Sequence, residues 1–166
     1  MPYEDRLAMT ELMAAPYPWL RASLIETGLG TRRTSETLKA LAHFYPDKRF
    51  IWSMGADNLA QFHTWQDWQW IVGHCPMLVF EREPYTKMAL ESESARFAAK
   101  LQRKRPQQVV ERGGWCLLPS PDPFGISSSA VRKSFQHGEE SPYIVPPVRD
   151  YIKRNHLYVP HVSRAL

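Results

Sequence analysis

Three short apolar runs, each separated from the next by helical periodicity, constrain this chain more than any other feature. They are Arg49–Met54, Met77–Phe80 and Trp115–Leu118. Each is too short to make a buried helix and is apolar enough to be covered on both faces, so each predicts a buried strand. Strands divided by helices pair in parallel through right-handed crossovers. The expected fold is therefore α/β, a doubly wound parallel sheet. Sheets of this kind bind ligands beyond the carboxyl ends of their strands. Attention falls on the segments that follow Met54 and Leu118.

The helical segments are read from spacing and breakers. Glu4 to Ala15 carries Met9, Leu12 and Met13 at i, i+3, i+4, and Pro16 and Pro18 end it. A helix opens near Thr34 or Ser35, either able to cap it, with Leu38, Leu41, Ala42 and Tyr45 as its buried stripe. Asp67–Val72, Lys87–Lys104 (Leu90, Phe97 and Leu101 on one face), Ser127–Phe135 and Pro147–Asn155 are the other predicted helices. Trp19–Glu26 reads as a further strand, followed by a loop at Gly28 and Gly30.

Composition narrows the function classes. In 166 residues, 21 Lys+Arg face 17 Asp+Glu, a net charge of +4. That surplus is mild and scattered, which favours small anionic partners over a nucleic-acid polymer. The densest group, Arg103-Lys104-Arg105, is read as following a helix and suiting its negative end. No run of 18 apolar residues exists, so no membrane span is expected. The polar start predicts no secretory leader, and Cys75 and Cys116 predict two buried thiols in a reducing cytoplasm. No histidine pair has metal-ligand spacing, and no P-loop or G-x-G-x-x-G is present.

Three segments could carry chemistry. In Ser53-Met54-Gly55-Ala56-Asp57-Asn58-Leu59, a glycine at a strand end admits a ligand to the backbone, and Asp57 could accept from two ribose hydroxyls. From spacing alone the plainer reading is that Asp57 caps the next helix. In Ile126-Ser127-Ser128-Ser129-Ala130-Val131-Arg132, free N–H groups and hydroxyls could cradle phosphate, with Arg132 four residues after Ser128. An ordinary serine cap with a surface arginine is the alternative. Between Trp65 and Trp70 stand three tryptophans, whose rings could stack on an aromatic ligand or pack the core.

Together these residues resemble the bacterial nicotinate-nucleotide adenylyltransferase family. The likeness lies in Gly55-Ala56-Asp57-Asn58-Leu59, in Phe62-His63-x-Trp65, and in Ile126-Ser127-Ser128-Ser129-x-Val131-Arg132, which is similar to the family's I-S-S-T-x-I-R. Tyr3–Met9, Ile25-Glu26 and Gly30–Leu38 fit in order. The resemblance implies a Rossmann-like nucleotidyltransferase fold and transfer of AMP from ATP to nicotinate mononucleotide, with Mg²⁺ accompanying ATP. It implies that Gly55 and Asp57 hold the adenylate ribose, and that Ser127, Ser128 and Arg132 hold the ATP phosphates. It further implies that Trp65 stacks on the pyridine ring, and that backbone N–H groups near Thr34 and Gln66 take the nicotinate carboxylate.

Two departures accompany it. The family commonly has Tyr before Thr34, where this chain has Arg33. The family also opens on a strand and a G-x-F-x-P-x-H-x-G-H loop whose histidines are its main catalytic groups, and no such motif occurs here. The expectation is a single domain over residues 1–166, N-terminally truncated by one strand-helix-strand unit, with no catalytic residue of its own. Its partners would be ATP and nicotinate mononucleotide, without nucleic acid or membrane, and with room for a homo-oligomer. Alternatives are an inactive truncated product, a pantetheine-phosphate-type adenylyltransferase, and a basic module that binds single-stranded nucleic acid.

Overall fold

A computed structural model describes residues 1–120, 128–137, 139 and 143–158. They fall into two compact units, one of residues 25–125 and one of residues 1–24 with 126–166.

The first unit is built on a parallel sheet of three strands, β1 (Trp52–Gly55), β2 (Met77–Phe80) and β3 (Trp115–Leu118), in that spatial order. The parallel pairing follows the prediction. Trp52 is in register with Met77, and Met77 with Trp115. Pairing of β1 starts at Trp52, whose N–H donates to Pro76 O at 2.8 Å, so the expected strand over 49–54 is shorter and shifted. β2, between the others, buries Met77 and Val79 fully. Around it pack Met54, Leu59, Phe62, Ile71 and Trp115.

The helices of this unit are α2 (Ile25–Leu29), α3 (Thr34–Phe44), α4 (Ala56–Gln61), α5 (Trp68–His74), α6 (Tyr85–Leu90), α7 (Glu93–Phe97) and α8 (Pro106–Arg112). The expected strand over Trp19–Glu26 does not form. Trp19 is 78% exposed, no strand pairs with the segment among the described residues, and α2 begins inside it. A strand without a neighbour leaves its backbone groups unpaired. In α3, Arg33 rather than Thr34 or Ser35 stands at the N-cap, and the buried face is Ser35, Thr37, Leu38 and Leu41, while Ala42 and Tyr45 are exposed.

The long helix expected over Lys87–Lys104 is broken. α6 ends at Leu90 with Glu91 as its C-cap, and Ser92 caps the start of α7, its Oγ accepting from Ala95 N–H at 3.1 Å. A serine hydroxyl competes with the helical ladder and favours a cap. The buried residues there are Ala89, Ser94, Ala95 and Ala98, with Leu90 and Phe97 exposed. Trp115 Nε1 donates to Ala98 O at 3.0 Å, which turns the chain toward β3. Beyond that turn, Arg103 Nη1 donates to Lys100 O and Gln102 O, both at 3.4 Å. Arg105 instead precedes α8 at its N-cap, and Gln108 Oε1 accepts from the N–H groups of Lys104 and Arg105 at 3.1 and 3.3 Å. That helix was not anticipated.

The second unit contains α1 (Tyr3–Ala14), α9 (Ser128–Gln136) and α10 (Pro146–Arg154). Tyr151 Oη of α10 donates to Asp5 Oδ1 of α1 at 2.8 Å. The bond to Asp5 comes first among the causes that push the Tyr151 hydroxyl above its ordinary pKa. Met9, Met13, Phe135 and Ile152 line an apolar groove of about 510 Å³.

Candidate functional site

The turn from β1 into α4 places Gly55 at the N-cap, in extended conformation, and Asp57 in the first turn. Asp57 therefore does not cap the helix. Its Oδ2 accepts from Arg82 Nη1 at 3.2 Å. Its Oδ1 is buried and has no hydrogen-bond partner among the described residues. A buried carboxylate oxygen without a donor is costly, and a ligand hydroxyl is one group that could satisfy it. Gly55 is what allows this arrangement. A Cβ there would overlap Asp57 Oδ1, with Arg82 Cζ next at 3.5 Å.

Arg82 escaped the sequence reading. It stands two residues beyond the carboxyl end of β2, the strand beside β1. The rule that directs attention to strand ends applies there as well.

A second feature lies in the same unit. Thr34, Trp65 and Gln66, separated by some thirty residues of chain, line one open cavity of about 430 Å³ together with Arg32, Arg33 and Thr64. One wall is the start of α3. The other is a 3-10 turn, Phe62–Thr64, and the two residues after it. Phe62 is fully buried and its ring lies 5.0 Å from that of Trp65, which anchors the indole from behind. Trp68 packs edge-on against Phe97, and Trp70 stacks on His74, so these two tryptophans are committed to packing. Asp67 follows Gln66 with φ of 53°, a left-handed conformation that is uncommon outside glycine. Lys39 Nζ of α3 meets Asp67 Oδ2 at 2.6 Å and lies 5.1 Å from the Trp70 ring centroid, so one lysine ties α3 to the chain just after the second wall.

The serine-rich segment is divided by what is described. Ser127 lies outside the described residues. Ser128 opens α9, and Arg132 Nη2 donates to Ser129 Oγ at 3.0 Å on the same helix. Among the described residues no group of three or more His, Cys, Asp or Glu could hold a metal ion. No described helix is long and apolar enough to cross a membrane.

Residues 1–134 match the family model described as cytidylyltransferase-like. A probable nicotinate-nucleotide adenylyltransferase of Cereibacter sphaeroides is 41% identical over 117 residues, 70% of this chain and 63% of that protein. One of Rhizobium meliloti is 35% identical over 137 residues, 80% of this chain and 72% of that protein. The chain spans about half to three-quarters of the length of such relatives, 50% for one of Bradyrhizobium sp. strain BTAi1. Among solved structures, Plasmodium falciparum nicotinic acid mononucleotide adenylyltransferase complexed with NaAD superposes with a TM-score of 0.68 over 95% of this chain and 75% of that one. At 18% identity this likeness shows a shared fold, the Rossmann-like nucleotidyltransferase fold.

Proposed function

The chain belongs to the cytidylyltransferase-like family, and from that premise we propose that it acts as a nicotinate-nucleotide adenylyltransferase of NAD biosynthesis. The observation that carries the reading is the convergence of Thr34, Trp65 and Gln66 on one cavity with cationic and hydroxyl walls. An indole face, two guanidinium groups, two hydroxyls and an amide suit a planar aromatic acid. In the proposed reaction a 5′-phosphate oxygen of nicotinate mononucleotide attacks the α-phosphorus of ATP, and the bond to the departing pyrophosphate breaks. Such a transfer needs positioning and neutralisation of charge more than covalent help.

Each assigned residue has a holding role. Asp57 Oδ1, over Gly55, would accept from the adenylate ribose, with Arg82 fixing the other oxygen. Ser127, Ser128 and Arg132 would hold the ATP phosphates. Trp65 would stack on the pyridine ring, and the backbone near Thr34 and Gln66 would meet its carboxylate. Mg²⁺ would come with ATP, held mainly by the phosphates of that substrate. None of these residues is assigned a proton-transfer role. A cytoplasmic location, one domain over residues 1–166, and self-association belong to the same proposal.

Binding tests the reading first. Titration of the full chain with nicotinate mononucleotide should quench tryptophan fluorescence, and Trp65→Leu should weaken binding roughly 10-fold through lost stacking. Binding that ignores Trp65→Leu overturns the assignment of the cavity. Pyrophosphate release from ATP and Mg²⁺ on addition of nicotinate mononucleotide then tests transfer. Release only with phosphopantetheine would move the chain to the pantetheine-type reaction.

A further inference from the structure

The cavity beside Trp65 holds two arginines and no carboxylate among its lining residues. Neither arginine makes an ion pair with a described residue. Glu36, one turn into α3, takes the backbone N–H of Arg32 at 3.4 Å rather than either guanidinium. Arg33 is the more constrained of the two. It is the N-cap residue of α3, and its carbonyl accepts from Thr37 N at 3.0 Å and Thr37 Oγ1 at 3.2 Å. Its side chain makes no capping hydrogen bond. The backbone is thus pinned on both counts while the guanidinium stays free to meet a ligand.

A guanidinium presents paired donors in one plane, which match the two oxygens of a carboxylate. A carboxamide at the same place offers one acceptor, carries no charge, and turns its own donors toward a group that cannot accept. A ring held flat by Trp65 with a carboxylate at its edge therefore gains from Arg33 what its amide counterpart does not.

We propose that Arg33 is a specificity-determining residue of this cavity, its guanidinium pairing with the carboxylate of a pyridine nucleotide so that the acid is chosen over the amide. The proposal rests on the reading of the cavity as a pyridine-nucleotide site. It adds that a side-chain cation, beyond the neighbouring backbone N–H groups, does the selecting.

The test is calorimetric titration of the full chain with nicotinate mononucleotide and, separately, nicotinamide mononucleotide. Both ligands carry the same 5′-phosphate, so their difference reads the ring substituent alone. The wild-type chain should prefer the acid. Arg33→Gln should cut that preference roughly 5- to 10-fold by weakening the acid only, the effect of one lost charge-assisted hydrogen bond in a partly exposed site. Arg33→Lys should keep part of it. Arg33 is exposed and makes no side-chain cap, so both variants should melt with the wild type. An acid preference unchanged in Arg33→Gln overturns the proposal, as does equal weakening of both ligands, which would put the guanidinium on the phosphate. Equal binding of both by the wild type also overturns it while leaving the site a pyridine site. Binding of neither removes the site reading itself.

Discussion

Asp57 shows how one missing atom can set a site. Its carboxylate folds back over Gly55 and keeps one oxygen buried and unpartnered. Gly55→Ala would place a methyl group where that oxygen lies. The carboxylate must then turn away from Arg82, or the strand end must shift. Because the displaced atom is the end of a side chain, the carboxylate absorbs the change and the fold loses little stability. Gly55→Ala should therefore bind ATP more weakly while its urea transition stays close to that of the wild type. An alanine variant as stable as wild type that binds ATP equally well would mean that the carboxylate position is unimportant. The same logic separates the three neighbouring tryptophans. Residue type alone could not say which indole faces a cavity. Phe62 behind Trp65, Phe97 beside Trp68 and His74 against Trp70 decide it; the first and last pairs are at local helical spacing, and only Phe97 lies beyond what spacing encodes.

At the scale of elements, β2 and β3 were legible residue for residue. Short apolar runs bounded by Cys75-Pro76 and by Gly113-Gly114 leave little freedom in where a strand begins. Gly114, at φ of 89°, has Leu101 O where a Cβ would go, so the approach to β3 needs glycine. The helices were harder. A periodic pattern over 87–104 hid a break because Ala89, Ala95 and Ala98 carry the burial and larger residues point outward. Small buried residues give a weak hydrophobic signal. The break depends on one hydroxyl. Ser92→Ala should destabilise the chain by about 1 kcal/mol, the usual worth of an N-cap, with the slope of the urea transition unchanged. No measurable change would mean that the Trp115 bond to Ala98 O alone directs the turn. The candidate cavity was legible in part. Thr34, Trp65 and Gln66 came from the resemblance, whereas Arg32 and Thr64 came only from the fold, which brings the start of α3 against the turn after α4.

On the scale of the whole molecule, both thiols lie in the sheet-bearing unit. Cys75 and Cys116 are buried and unpaired, and burial pushes each above the ordinary thiol range. The thiolate is the reactive form, so both should resist iodoacetamide in the folded chain near neutral pH and react fully in urea. Fast labelling of the native chain would contradict the burial of β3 and of the segment before β2. The unit of residues 1–24 and 126–166 has no cysteine at all. Alkylation is therefore a stopwatch on the sheet-bearing unit alone. Timed against a spectroscopic signal that sees the whole molecule, the two thiols would reveal whether the two units unfold together or in sequence, with no engineered label.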